Sequence, residues 1–170
     1  MLVRVELGRI LIREMTDTQF ITLVESEGGR EFPIAIGLPE AFAIERRLRR
    51  VDVPRPQTHD LLSSVVTHLG GQLLRIEIHT LHGGTFFANL VLDHEGEELH
   101  VDARPSDAIA FGVAEDAPIF VAEEVIAEAC ENGFVEEEDE EVDFSSFESD
   151  GGWMSEQDED EDDEDDSWKS

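Results

Sequence analysis

Thr58-His59-Asp60 is the first of two short stretches whose residue types could carry out acid–base or phosphate chemistry. A histidine titrates near neutral pH, so His59 beside a carboxylate could serve as a general acid–base unit. Helical periodicity follows Thr58, which is a predicted N-cap. An acidic residue in the first turn of a helix also complements the helix dipole, so a structural role for Asp60 is the alternative.

The second stretch, Asp102 to Asp107, lies where a predicted strand gives way to a predicted helix. It brings the guanidinium of Arg104 and the hydroxyl of Ser106 close to free amides at a helix N-terminus. Such amides bind anions, and arginine pairs with phosphate through two parallel hydrogen bonds. The carboxylates of Asp102 and Asp107 are candidate ligands for a divalent cation such as Mg²⁺. The structural alternative is that Ser106 or Asp107 caps the helix and Arg104 pairs with a nearby acid.

A run of arginines precedes the first stretch. Guanidinium groups attract phosphate, so Arg46, Arg47 and Arg55 are candidate contacts for a nucleic-acid backbone. Cations in the last turn of a helix also suit its dipole, which is again the structural alternative. The chain has no Gly-x-Ser-x-Gly motif, no glycine-rich phosphate loop and no histidine spacing typical of a zinc site.

The elements that must position these residues follow from the hydrophobic pattern. Alternating and β-branched segments predict strands near residues 3–7, 19–24, 31–36, 73–81, 85–92, 99–102 and 118–121. Apolar residues at three- and four-residue spacing predict helices near 38–50, 59–69, 105–113 and 122–130. Hairpins joined to helices, rather than strict strand–helix alternation, predict a single α+β domain with a mixed, largely antiparallel sheet and about four helices.

Two finer expectations concern single elements. Pro33 has no N–H to donate to a neighbouring strand, so the strand that contains it is predicted to lie at an edge of the sheet. The helix that follows Thr58 is predicted to bury an apolar face. That face consists of Leu61, Leu62, Val65, Val66 and Leu69.

The charge of this 170-residue chain is concentrated at its C-terminal end. The formal net charge is −30: residues 1–130 hold 22 acidic residues and 11 arginines, and residues 131–170 hold 20 acidic residues and one lysine. A segment this acidic cannot bury enough apolar surface to offset its ordering entropy, so disorder is predicted. We therefore divide the chain into one domain at 1–132 and an acidic tail at 133–170. The scattered aromatic residues of the tail suit it to bind basic partners, and the alternative is a solubilising extension or an adaptation to high salt.

Composition also excludes some classes of protein. No apolar run approaches the roughly 20 residues of a membrane span, so no membrane association is expected. The N-terminus alternates apolar and charged residues, unlike a signal peptide. The single cysteine, Cys130, cannot form an internal disulfide, which indicates a reducing, cytoplasmic location.

Four stretches taken together resemble the bifunctional nuclease domain family: PEAFAIE at 39–45, PRPQTHDLL at 54–62, DARPSDAIA at 102–110 and PIFV at 118–121. The resemblance runs in order through about residues 1–130. It implies an α+β fold, a homo-oligomer and cleavage of both RNA and DNA. The motif positions of the family, all taken as candidate site residues, fall on Glu45, His59, Asp60, Asp102, Arg104, Ser106 and Asp107.

Residues and resemblance together lead to a hypothesis of phosphodiester hydrolysis in a cleft where the two stretches meet. In this hypothesis Arg104 holds the phosphate of RNA or single-stranded DNA, Asp102 and Asp107 bind a divalent cation, and His59 acts as acid or base. The alternative is a non-catalytic, oligomeric ligand-binding or regulatory module. The net charge of −11 over residues 1–130 favours that alternative, because phosphate binding needs positive potential.

Overall fold

A computed structural model describes residues 1–13 and 16–131 of the chain. The strands are β1 (Leu2–Leu11), β2 (Thr18–Glu25), β3 (Glu31–Gly37), β4 (Gly71–His82), β5 (Thr85–His94), β6 (Glu97–Ala103) and β7 (Ile119–Ala122). The helices are α1 (Leu38–Leu48), α2 (Thr58–His68), α3 (Pro105–Gly112) and α4 (Glu123–Glu131), with a 3₁₀ turn at Val113–Glu115. Within these described residues, no helix has the length and apolarity needed to cross a membrane. The predicted acidic tail at 133–170 lies outside the described residues.

The seven strands form one sheet in the order β3-β2-β1-β7-β4-β5-β6. Neighbouring strands are antiparallel except for β4 and β7, which are parallel. Parallel neighbours need a long crossover connection, and here it runs through β5, β6 and α3. The predicted α+β fold, with a mixed, largely antiparallel sheet and four helices, is confirmed. β3, which contains Pro33, lies at one edge as predicted, and β6 lies at the other.

The sheet is strongly curled. Phe32 of β3 and Phe86 of β5 stack with ring centroids 6.1 Å apart, although four strands separate β3 from β5 in the sheet order. In a flat sheet that separation would be about 24 Å at the usual spacing between strands. The sheet therefore bends round to enclose a core, whose fully buried residues include Ile21, Ile76 and Ile126.

Two helices, α1 and α3, fix the place of the candidate site. Pro39 and Pro105 stand in their first turns, where the missing N–H has no partner to lose. α3 packs against α1, β4 and β5, and every residue of α3 except Asp107 is buried. This burial holds the first turn of α3 in a fixed position against its neighbours.

The helix α2 does not bury the face that the sequence predicted for it. None of its residues is buried: Leu61, Leu62 and Val65 are 57%, 39% and 45% exposed, and Leu69, just past its end, is 71% exposed. Val66 alone of that predicted face packs against the described core. The prediction was wrong because helical periodicity shows which face is apolar but not whether another element of the chain covers it.

Candidate functional site

The two stretches singled out in the sequence meet in the structure. His59 lies in the first turn of α2 and Asp107 in the first turn of α3, 48 residues later, and His59 Nε2 is 3.1 Å from Asp107 Oδ1. The packing of α2 against α3 creates this contact. The side chains of His59 and Asp107 are 14% and 34% exposed, so solvent reaches the pair.

The partner of His59 is not the neighbouring Asp60 that the sequence suggested. Adjacent side chains of a helix point in different directions and do not face each other. His59 is directed towards α3, whereas Asp60 is directed towards α1, where it meets two arginines. The two residues therefore take different roles in the structure.

Asp60 joins α2 to α1. Its carboxylate accepts hydrogen bonds from Arg46 Nη2 at 2.9 Å and from the Gln57 N–H at 3.0 Å, and it also pairs with Arg47. Burial by itself raises the pKa of Asp60, but the Gln57 amide and the arginines outweigh burial and hold that pKa below its ordinary value. Gln57, rather than the predicted Thr58, is the N-cap of α2.

Arg47 lies buried beneath the site, with 6% of its side chain exposed. Its Nε and Nη2 donate hydrogen bonds to the carbonyl oxygens of Ala110 and Phe111, at 2.6 and 3.1 Å. These carbonyls belong to the last turn of α3, where acceptors lack partners within the helix and a cation suits the dipole. Arg47 thus ties α1 to α3 and, through Asp60, to α2. Phosphate binding by Arg47 stays a prediction.

Arg104, the N-cap of α3, is the exposed cation of the site. Its Nε donates to Asp107 Oδ2 and its Nη1 to Glu40 Oε1, both at 2.8 Å, and these bonds raise the pKa of Arg104. The side chain is 64% exposed, and its Nη2 has no partner among the described residues. We call His59, Asp107 and Arg104 the His59 cluster. Glu40 was not identified as a site residue from the sequence, where its only signal was its place in the motif at 39–45.

The other predicted site residues take separate places. Glu45 forms an ion pair with Arg49, one turn further along α1. Arg55 is exposed in the connector between α1 and α2, and Asp102 is exposed on β6. Ser106 is 5% exposed, in the first turn of α3 beside the cluster. The structure therefore brings Ser106 to the His59 cluster and gives Glu45 a partner on its own helix.

The predicted cation site at Asp102 and Asp107 has no cage of ligands around it. Both carboxylate oxygens of Asp107 are already hydrogen-bonded, to His59 and to Arg104. Among residues 1–13 and 16–131, no group of three or more His, Cys, Asp or Glu side chains is placed to hold a metal ion. The described side chains around Asp102 and Asp107 do not by themselves complete a set of three ligands, and metal binding at these two residues stays a prediction.

The fold and the His59 cluster define an α+β domain with a histidine, a carboxylate and an arginine gathered at the N-termini of two packed helices. The model of the bifunctional nuclease domain matches residues 21–132, and the chain belongs to this family. The resemblance seen in the motifs is confirmed. Uncharacterized proteins from two strains of Mycobacterium tuberculosis are each 38% identical to the chain over 120 residues, which is 71% of the chain and 71% of each relative.

Proposed function

We propose that this protein is a nuclease that hydrolyses phosphodiester bonds in RNA and single-stranded DNA. Its membership of the bifunctional nuclease domain family supports this class of activity. The observation that carries the assignment of the site is the contact of His59 with Asp107 beside the exposed guanidinium of Arg104. A proton-transfer group next to a phosphate-binding group is the arrangement that catalysis of this hydrolysis needs.

His59 is assigned the role of general base. Asp107 accepts a hydrogen bond from the protonated Nε2, which leaves Nδ1 unprotonated and without a partner among the described residues. Nδ1 takes a proton from water while the water oxygen attacks phosphorus, and the bond from phosphorus to the leaving sugar oxygen breaks. The leaving oxygen takes up a proton from His59 or from solvent. Asp107 is a positioning residue, because it acts through the imidazole.

Arg104 is assigned to the phosphate. Its free Nη2 provides one donor, and displacement of Glu40 frees Nη1, which completes the two parallel bonds that arginine forms with phosphate. The amides in the first turn of α3 and the hydroxyl of Ser106 are further donors at the same place. Arg55, exposed in the connector before α2, is assigned to the nucleic-acid backbone further along the strand.

The assembly and surroundings of the protein are part of the proposal. A homo-oligomer is supported by the exposed apolar side chains of Leu61, Val65 and Leu69, because large exposed apolar patches mark interaction sites. A cytoplasmic location is supported by the free thiol of Cys130. A requirement for a divalent cation such as Mg²⁺, and binding of basic partners by the acidic tail, are proposed from the sequence.

A non-catalytic ligand-binding or regulatory module is the second candidate, and the ion pairs of the site favour it. Arg104 is neutralised by Asp107 and Glu40, and Arg46 is neutralised by Asp60. A nucleic-acid strand must therefore compete with carboxylates for each of these guanidinium groups. In a binding module the same ion pairs need only hold the helices together.

Turnover of end-labelled single-stranded RNA and DNA by the full chain decides between the two candidates. His59→Ala and Asp107→Asn should each lower kcat by about 100-fold or more, since a positioned acid–base group contributes that much. His68→Ala is the matched control, because His68 is exposed at the other end of the same helix. Parallel reactions with chelator, and with chelator followed by Mg²⁺, test the cation requirement.

The assignment of the site and the nuclease function are contradicted by different results. Equal rates for His59→Ala, Asp107→Asn and the control would show that cleavage occurs elsewhere on the protein. Absence of cleavage by the unaltered chain, with and without added divalent cations, would leave the binding module as the function.

A further inference from the structure

A cavity of about 420 Å³ adjoins the His59 cluster. It lies between the open edge of β3, the β4–β5 hairpin and the first turn of α3. Arg104 and Ser106 line it, so Arg104 borders both the cavity and the contact of His59 with Asp107. The curl of the sheet produces this cavity, because it brings β3 close to β5.

The size and the walls of the cavity suit one flat, partly apolar group. Its volume lies in the range of small-ligand sites and is far too small for a base-paired duplex. Ile34, Ile36 and Phe86 are the largest apolar residues of the wall. Phe86 is half-buried and stacks on Phe32, which fixes the position of its ring. A flat ring that enters the cavity can therefore pack against Phe86.

Hydrogen-bonding groups without partners also face the cavity. Ser106 is 5% exposed, and its hydroxyl has no hydrogen-bond partner among the described residues. Within the described part of the chain no side chain caps α3, so the amides of its first turn lack a side-chain acceptor there. Four successive residues of β3, 34–37, border the cavity, so the backbone edge of the strand rather than one of its faces lies against it. Among the described strands β3 pairs with β2 alone, so its other edge carries N–H and C=O groups without a partner in these strands.

The charges around the cavity favour a neutral group over a phosphate. Asp17 lines the cavity, and Glu40 and Asp107 flank Arg104 at its border. Three carboxylates against one guanidinium repel an anion that lies inside. A nucleobase fits better, because its edge offers donors to the carboxylate of Asp17 and acceptors to the unpaired N–H groups of β3, which leaves Ser106 and the amides of α3 to the neighbouring phosphate.

We propose that this cavity holds one unpaired base of the nucleic-acid strand, next to the phosphate that Arg104 binds. The inference rests on the proposed nuclease function and gives it a substrate class: strands whose bases are free to leave the stack. A paired base must first be unstacked and unpaired, which makes duplexes poor substrates. Base contacts of this kind tolerate different sequences, since each base has a flat apolar face.

The test compares three forms of one end-labelled oligonucleotide: the single strand, the same strand annealed to its complement, and strands with one abasic site moved position by position. The full chain should cleave the duplex about tenfold or more slowly than the single strand. An abasic site at one fixed position relative to the cleaved bond should slow cleavage by a similar factor. Equal rates for all three forms would overturn the base-binding cavity while leaving the nuclease function intact.

Ala35→Leu enlarges one of the residues that line the cavity, and Ala127→Leu on α4 is the matched control. The Ala35→Leu protein should cleave the intact strand as slowly as the unaltered protein cleaves the critical abasic strand. It should also lose all discrimination between the intact and the abasic strand, which a general loss of folding would not produce. Retention of that discrimination would contradict the proposal.

Binding measurements keep the inference separate from catalysis. Fluorescence anisotropy of a short labelled strand, with one abasic site moved position by position, should show about tenfold weaker binding at one position, and no such position for Ala35→Leu. This difference in binding is expected even if no cleavage is found, so failure of the nuclease function would not contradict base binding in the cavity. Titration calorimetry with free nucleosides provides the remaining arm. Nucleosides that bind more tightly than the strand would make the cavity a nucleoside site and overturn the proposal.

Discussion

The contact of Asp60 with Arg47 gives a prediction of stability that can be worked from the structure. Asp60→Asn removes one charge and almost no volume, and it leaves the guanidinium of Arg47 facing a neutral amide inside the domain. Removing one partner of a fully buried ion pair costs about 3–5 kcal/mol, and of an exposed pair about 0.2–1 kcal/mol. The side chains here are 6% exposed for Arg47 and 23% for Asp60, which is close to the buried limit.

We therefore expect Asp60→Asn to lower the free energy of unfolding by about 2–3 kcal/mol. This loss of stability is smaller than that expected for a fully buried ion pair, because the asparagine oxygen still accepts a hydrogen bond from Gln57 or Arg46. Arg47 also keeps its two carbonyl partners on α3. For a domain of this size the melting temperature should fall by roughly 10 °C.

Asp116→Asn is the matched control. Asp116 pairs with Arg50 at the surface, where the side chains are 78% and 62% exposed, so its loss should cost less than about 1 kcal/mol. Asp116 has a φ of 53°, a left-handed conformation that asparagine also tolerates. Both substitutions change the net charge of the chain equally, so the comparison removes general charge effects.

Urea unfolding of the full chain, followed by far-ultraviolet circular dichroism, measures both variants. Backbone dichroism is the suitable probe because both tryptophans, Trp153 and Trp168, lie in the sequence beyond the described domain. The same substitution made in an Arg47→Met background should cost less than about 1 kcal/mol, since the buried charge is then gone. Equal losses for Asp60→Asn and Asp116→Asn would refute the argument from burial.

Three further predictions concern the site, the pH dependence and the assembly. A Cβ at Gly37 would collide with the carboxylate of Glu40, so Gly37→Ala should release Arg104 from that carboxylate and lower KM for single strands. Glu40→Gln should also lower KM, because it removes the charge that holds Arg104. An unchanged KM in both variants would contradict this prediction. The lowered pKa of Asp60 stabilises the fold above the ordinary carboxyl pKa, and this stabilisation is lost as pH falls through the lowered value. The free energy of unfolding should therefore decrease below about pH 4. Urea titrations across this range should show a weaker pH dependence for Asp60→Asn. Leu61→Glu places a charge on the exposed face of α2 and should reduce the mass found by sedimentation equilibrium, whereas an unchanged mass would exclude this face from the oligomer contact.

The secondary structure and the α+β class could be predicted because the signals that determine them are local. Alternation and β-branched residues mark the strands, and Pro105 marks the start of α3 wherever that helix packs. The edge position of β3 could be predicted for the same reason. Pro33 lacks an N–H and so cannot donate a hydrogen bond to a strand on that side, whatever the rest of the fold is. The burial of α2 could not be predicted, because it depends on elements distant in the sequence.

Residue types and their places at helix starts show, without any structure, which residues could do chemistry. The partners of those residues depend on how the helices pack. His59 meets Asp107 across 48 residues rather than its neighbour Asp60, because successive helical side chains diverge and the packing of α2 on α3 chooses the contact. The cavity beside Arg104 likewise exists because the sheet curls until β3 approaches β5. The positions of the strands along the sequence do not indicate that curvature.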